Sequence, residues 1–412
     1  MRQWVIPLMC HPMPDRIPMK HRDEKLDLVR GLSALVVLLA HTRGVLLCDM
    51  DQVVHLNVII KLFYFLTGIH HQAVMVFFVL SGYFVGGSVM QTMTGKGFSA
   101  PRYGLARISR LWTVLLPAMA LTLCADRIGY AVNPAAYHGS LLPLFSSGPT
   151  HEAPAVWDVP TFLGNLFFVQ TIVTPCFGSN GPLWSLANEF WYYLLFPVAA
   201  CGIRDLIGRR WLRGAFLLAT FACIACILPI RIVAFGTVWL CGVAVWSVSR
   251  MPKLTRLFRG FWWRIIFGLL FAASLAASKT SSVLGNDYMV GLTFALWMPT
   301  LLGPWNAHFM STTHFQGWHA RLHQSLQLAS TTLSEVSYTL YVVHFPLIFL
   351  AGTAWFGGVQ FQPDAYGLAN FALVTSAAMT LSAIMWFCFE HRTDAVRKRL
   401  VALWFKPTTT AK

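Results

Sequence analysis

Residues 26–41 read LDLVRGLSALVVLLAH, and the ten positions between Arg30 and His41 hold no ionisable side chain. The apolar run continues to Leu47, which matches the roughly 20 residues a helix needs to cross the hydrocarbon core of a bilayer. The rest of the chain repeats this pattern. Of 412 residues, 56% are apolar and 11% charged, against about 25% charged in a soluble domain. So little charge cannot clothe the two or three soluble domains that such a length would otherwise form. Lipid must replace water as the solvent for most of the surface, and the 31 Phe and 16 Trp suit the aromatic belts of spanning helices.

Ten runs of spanning length occur: 26–47, 71–92, 111–129, 183–201, 214–229, 232–249, 262–278, 288–303, 335–353 and 368–389. An eleventh, 161–175, is shorter and bounded by Pro160 and Pro175. With ten spans and the N-terminus inside, 25 of the 31 Lys and Arg fall on the cytoplasmic side. Only Arg43, Lys61, Arg127, Arg231 and Lys279 lie outside, and Arg30 sits within the first span. Counting 161–175 as a span would put every later basic cluster outside, against the positive-inside rule. It is therefore read as an outer hairpin or surface helix.

The expected fold is an all-α polytopic membrane protein of about ten transmembrane helices with cytoplasmic N- and C-termini. A cytoplasmic segment, 1–25, precedes a membrane domain, 26–391, and a basic cytoplasmic tail, 392–412, follows it. The membrane domain carries an outer loop, 130–160, and an inner loop, 304–334. The polar stretch up to Lys25 lacks the apolar core of a signal peptide, so the first helix is expected to remain as an uncleaved anchor.

The net charge of +15 would suggest nucleic acid in a soluble protein. Here the basic residues form short clusters between apolar runs, with no long stripe and no nucleic-acid motif, and so they read as a topology signal. Nine Cys is an odd number, and most lie in apolar stretches; the CxxC of Cys223 and Cys226, inside FACIAC, reads as core packing. His308, His314, His319 and His323 crowd the inner loop, but no neighbouring carboxylate completes a metal site. No internal repeat of the inverted-repeat transporter kind is visible.

Ionisable groups inside a membrane are costly and invite a functional reading. Arg30 and His41 are eleven positions apart, about three turns, which puts both on one helical face about 16 Å apart. Arg30 can snorkel to the inner interface, whereas His41 is either a hydrogen-bonded core group or a general base toward a hydroxyl. Arg107 and Arg110, at i and i+3, present two guanidinium forks suited to phosphate, or serve as positive-inside anchors. Glu189, in GPLWSLANEFWYYLLFP, must pair with a cation or donor or else be protonated, either as an interhelical clamp or as a working group. His344, in SYTLYVVHFPL, faces the bundle interior.

Taken together, the motifs resemble the integral membrane acyltransferase-3 family, which O-acylates cell-surface and secreted carbohydrates. The resemblance runs from about Lys25 to Arg399. It is carried, in the family's order, by LDLVRGLSALVVLLAH with its R-x10-H spacing, VFFVLSGYFVGG, RISRLW, PLWSLANEFWYYLLFP, SYTLYVVHFPL and the C-terminal FEHR. It implies a ten-helix transferase that takes an acyl group, acetyl first, from cytoplasmic acyl-CoA and delivers it to a carbohydrate hydroxyl at or beyond the outer face.

By the same resemblance His41 is catalytic, Arg30 essential and Glu189 a further catalytic candidate, while Arg107 and Arg110 belong to the donor side. Ser81, Tyr338 and His344 are further candidates from the second and fifth motifs. The family's usual second acidic residue after the Glu is Phe190 here, and the Pro that commonly follows the C-terminal Glu is His391. The implied acceptor is a polysaccharide, oligosaccharide or glycolipid, the implied location the cytoplasmic (inner) membrane, and no metal is expected.

Direct transfer with a general base and a covalent acyl-histidine both fit. No His is followed five residues later by Asp, and there is no G-x-S-x-G elbow. No hydrolase-like domain is expected after the tenth span, so the acceptor would meet the membrane core and outer loops. The competing reading is a transporter or flippase of a lipid-linked saccharide, with Arg30, His41 and Glu189 lining its path. The oligomeric state is not legible.

Overall fold

All ten apolar runs are helical in the computed structural model, which describes residues 23–404 apart from 96, 142–144, 146, 259, 281–282 and 303–315. Side chains are described at none of 283–286, 316–324 and 326. Among the described residues there is no strand, only three isolated bridges.

Helix α1 (Glu24–Leu46) starts at Asp23, whose carboxylate accepts from the Lys25 amide. After α2 (Val58–Leu66), α3 (His70–Ser81) passes through a π-helical turn, Gly82–Gly86, into α4 (Gly87–Thr94). The 33-residue α5 (Ala100–Val132) is followed by two short helices, α6 (Pro134–Tyr137) and α7 (Val159–Leu166). Next come α8 (Leu183–Ile207), α9 (Trp211–Ile227), α10 (Ile230–Ser249), α11 (Pro252–Phe258) and α12 (Phe261–Ala277). The chain closes with α13 (Val283–Leu301), α14 (Gln316–Leu350), α15 (Ala365–Cys388) and α16 (Thr393–Trp404).

Seven helical stretches among the described residues are long and apolar enough to cross a membrane, and α11 with α12, as one bent pair, would make an eighth. Helix α7 has eight residues, about 12 Å of rise, and turns follow it. It cannot cross a core of about 30 Å, in line with the reading of 161–175 as non-spanning, although Asn165, Phe168 and Gln170 are buried against the bundle. The expected inner loop, 304–334, is helical from Gln316 onward as the first half of α14. His308 and His314 lie outside the described residues, as do the side chains of His319 and His323. Cys223 and Cys226 lie on the exposed surface of α9 rather than in the core, so they face the surroundings of the bundle.

Helix-breaking prolines are accommodated where another side chain takes the carbonyl that the missing N–H leaves free. Pro197 cannot bond the Tyr193 carbonyl one turn earlier, and the Tyr103 hydroxyl of α5 donates to it at 3.0 Å. Pro346 likewise frees the Val342 carbonyl, which accepts from Asn180 Nδ2 at 2.9 Å. Each proline thus ties its helix to a distant part of the chain.

Helices α1 and α14 lie side by side and run parallel, with Arg30 opposite Ser334 and His41 opposite His344. The larger core cluster joins α3, α5, α8, α10 and α13 and includes Trp239, Phe294 and Met119. A second one gathers α1, α14 and α15 around Phe345 and Phe349. Helices α3 and α10 approach until backbones touch: a Cβ on Gly82 would stand 1.9 Å from the Trp239 carbonyl oxygen, and one on Gly242 1.9 Å from that of Val79.

Small residues allow such approach where no hydrophobic force drives membrane helices together. Gly242→Ala is therefore expected to lower the thermal midpoint of the detergent-solubilised protein. Overpacking of about 1–3 kcal/mol outweighs the roughly 1 kcal/mol that Ala gains over Gly in helix propensity. Gly104→Ala on α5, where an added Cβ meets nothing within 4 Å, should leave the midpoint unchanged or raise it. Equal midpoints for the two variants would count against the backbone contact.

Candidate active site

A cavity of about 360 Å³ opens between α1, α3, α5, α8 and α14, and Arg30, Arg107, Arg110, Glu189, Ser81 and Tyr338 all line it. Six of the eight residues singled out from the sequence therefore share one space. The other two, His41 and His344, do not line it.

Three guanidinium groups make one side of the cavity basic. Arg30 Nη2 donates to Ser334 Oγ at 2.5 Å and to its carbonyl oxygen at 3.0 Å, and lies 3.6 Å from Asp27 Oδ1. Ser334 Oγ in turn donates to Asp27 Oδ1 at 2.8 Å, so the cation is held on α1 by α14. Arg107 lies over the rings of Tyr103 and Tyr193, at 5.6 and 5.8 Å from their centroids, and Arg110 over Tyr338 at 5.8 Å. Arg110 has much accessible surface although protein atoms crowd around it, because that surface faces the cavity. Buried Arg107 Nε has no hydrogen-bond partner among the described residues.

Glu189 lies in the same cavity as the arginines. Its Oε1 accepts from Ser81 Oγ at 2.6 Å and from the Tyr193 hydroxyl, and Trp239 Nε1 donates to Ser81 Oγ at 3.1 Å. The carboxylate is thus an interhelical clamp and a cavity wall at once. The π-helical turn that begins right after Ser81 re-aims the helix at this point, a feature often found at functional sites.

The histidines stand beyond an aromatic layer. Phe77 and Tyr341 line the cavity, their centroids are 5.8 Å apart, and the Tyr341 ring is 6.0 Å from that of His344. His41 Nδ1 and His344 Nε2 are 2.8 Å apart in a buried hydrogen bond, and the two rings stack. Phe345 meets His41 edge-on, and the His70 ring lies 5.1 Å away. The shared face of Arg30 and His41 is real, since both reach α14, but only Arg30 opens into the cavity. No group of three or more His, Cys, Asp or Glu suited to a metal occurs among the described residues.

Outside the cavity, the segment between α7 and α8 is pinned to the bundle by Asp126 of α5. Its carboxylate accepts from Trp157 Nε1 at 2.9 Å, the Ser179 amide at 2.7 Å and Ser179 Oγ at 2.6 Å. Gly178 between these donors has φ +59°, and a Cβ there would stand 2.2 Å from Asp126 Oδ2, so glycine is required. Hydrogen bonds from Thr161 at the start of α7 hold the Asp158 carboxyl below its usual range, and burial pushes the Cys176 thiol up to about 12.

A comparison with protein families finds a match to the acyltransferase domain of the acyltransferase-3 group over residues 23–388, almost the whole chain. The chain belongs to the acyltransferase-3 family. No curated protein and no solved structure matches it. Membership makes the protein a multi-pass membrane acyltransferase in the coarse sense.

Several residues around this candidate site were not singled out from the sequence. Tyr193 bonds Glu189, and its i+4 spacing from Glu189 was visible. Asp27 and Ser334 hold Arg30, with Asp27 visible at i−3. Glu390 of FEHR accepts from the Thr339 amide at 3.2 Å and its hydroxyl at 2.5 Å, a pairing of distant positions that no local spacing reveals. His70, beside His41, was visible only as half of a His pair at the start of the second span.

Ser81→Ala removes one donor to Glu189 and leaves Trp239 Nε1 without its acceptor. The expected loss is about 1–3 kcal/mol of stability, read as a lower detergent unfolding midpoint. An unchanged midpoint would mean that the clamp contributes nothing to packing.

Proposed function

We propose that the protein transfers an acyl group, acetyl first, from cytoplasmic acyl-CoA to a hydroxyl of a carbohydrate presented at the outer side of the cytoplasmic (inner) membrane. The acceptor class is a polysaccharide, oligosaccharide or glycolipid. The observation that carries this reading is a cavity with three arginines on its wall and a buried histidine pair one aromatic layer away. The reading takes the membrane domain to have ten spans with both termini cytoplasmic. It is supported by the ten helical runs and by the distribution of basic residues.

The phosphates and carbonyls of acyl-CoA need cations and donors where water is excluded. Arg30, Arg107 and Arg110, which line the cavity, supply them. A volume of about 360 Å³ is near the small end of ligand pockets. It suits the acyl and pantetheine end of the donor, with the nucleotide left at the cytoplasmic mouth. Arg30, fixed by Ser334 and Asp27, is preorganised for a phosphate or carbonyl of the donor's distal part, about 16 Å along α1 from His41.

In the transfer, the acceptor oxygen attacks the thioester carbonyl and its proton passes to His41. The C–O bond forms as the C–S bond breaks, and the departing thiolate takes the proton from His41, leaving the ester and free CoA thiol. Phe77 and Tyr341 stand between the donor cavity and His41, so the thioester and the hydroxyl would meet at that layer. Glu189 holds Ser81 and Tyr193 in place and balances part of the arginine charge.

With purified protein in nanodiscs, acetyl-CoA and a hydroxyl-bearing glycan, free thiol should appear in step with acylated glycan. His41→Ala should lower kcat by about 10²–10⁴-fold while the protein still inserts. Arg107→Ala should raise KM for acyl-CoA by about tenfold or more, because a hydrogen bond to a charged group contributes about 1.5–3 kcal/mol. Protein that binds and consumes no acyl-CoA, yet moves a lipid-linked saccharide across vesicles, would overturn the proposal.

A further inference from the structure

The His41 and His344 rings form a chain of hydrogen bonds with a fixed direction. His344 Nδ1 lies 2.9 Å from the Leu340 carbonyl oxygen, and a carbonyl oxygen only accepts, so that nitrogen carries a proton. With one proton per ring, His344 Nε2 is then an acceptor, and the hydrogen in its 2.8 Å bond to His41 must sit on His41 Nδ1. His41 Nε2 is left with its lone pair. The opposite tautomer of His41 would need His344 to donate from both nitrogens, which only an imidazolium can do.

We propose that His344 is a positioning residue: it holds the proton of His41 on Nδ1 and so makes Nε2 the nitrogen that takes the acceptor proton. This rests on the acyl-transfer reading above. The arrangement is over-determined by its neighbours. Both rings are buried, at 8% exposure for His41 and 0% for His344, and they lie nearly parallel. Phe345 closes against His41 edge-on. The neighbouring Tyr341 hydroxyl is engaged with Ser185 Oγ and the Pro182 carbonyl, so it does not compete for either imidazole. As His41 takes the acceptor proton at Nε2, the charge that develops is met at Nδ1 by an acceptor already in place, which needs no reorganisation. A base locked in the correct tautomer by a second group is the logic by which an orienting residue raises kcat without touching substrate.

The test compares two substitutions and one spectrum. In His344→Gln the side-chain amide oxygen reaches the position of Nε2 and still accepts from His41 Nδ1, whereas His344→Met fills the space without an acceptor. His344→Met is expected to lower kcat by about 10²–10⁴-fold with KM for acyl-CoA changed by less than about twofold, and His344→Gln to recover at least about tenfold of that loss. Solid-state NMR of ¹⁵N-histidine-labelled protein in lipid, with His41 assigned by its disappearance in His41→Asn, should show the proton on Nδ1. In His344→Met that signal should split between tautomers.

A proton on Nε2 of His41 in the unaltered protein overturns the proposal. So does a His344→Gln variant that inserts normally, binds acyl-CoA and is as inactive as His344→Met. The spectrum needs no substrate, so the two readings can fail separately: loss of the tautomer signature refutes the role of His344, whereas absence of acyl transfer with the signature intact refutes the function and leaves the hydrogen-bond chain standing.

Discussion

Hydrocarbon does not hydrate an ion or a backbone carbonyl, so each polar group buried in the bundle must find its partner in the protein. The parallel seam between α1 and α14 answers this constraint for two groups of the candidate site, Arg30 and His41. Ser334 and Asp27 hold Arg30, and His344 holds His41 eleven residues further along α1 and ten further along α14. Because both contacts lie on one seam, a shift of register between α1 and α14 would break both together. The distance between the anion-binding end and the histidine end is therefore set by helix geometry, about 1.5 Å per residue, and not by loops.

The same constraint explains how two helices with internal prolines survive here. The carbonyls freed by Pro197 and Pro346 are taken by Tyr103 and Asn180, so each of these prolines is also a tertiary tie. Tyr103 lies four residues before Arg107 and holds α5 against α8, where Tyr193 and Glu189 face the cavity. Asn180 links the segment before α8 to α14 two residues from His344. Local departures from regular helix thus fix the register of the helices that carry the site.

The helices and the family were legible because apolar run length and motif order are local properties. The seam of Arg30 and His41 was legible too, since eleven residues make about three turns. What could not be read is which side of a helix meets which partner. Glu189 was readable as a buried acid needing donors, and Tyr193 stands at i+4 on its own helix, but Ser81 comes from α3 and Trp239, which donates to Ser81, from α10. His41 was readable as a candidate base, but the aromatic layer of Phe77 and Tyr341 that sets it apart from the cavity depends on packing across α3 and α14. Helix length was under-read wherever polar residues extended an apolar run, as at the start of α14 and at both ends of α5. At the start of α5 the Tyr103 hydroxyl bonds the Tyr193 carbonyl of α8, a tertiary tie that hydropathy alone leaves out.

The arginine-lined cavity and the histidine pair have opposite electrostatic characters, and their separation is chemically useful. A cluster of cations concentrates a phosphate-bearing donor, but placed directly against an imidazole it would oppose the positive charge that a general base acquires. Here Asp27, Glu189 and Glu390 lie near the guanidinium groups, while Phe77, Tyr341 and Phe345 surround or screen the histidines. In the proposed transfer, this division gives the donor's phosphates one part of the bundle and the acceptor proton another. The proposed donor, an acyl thioester of CoA, is long and thin and carries its negative charge at one end and its reactive carbon at the other, so it can span the two.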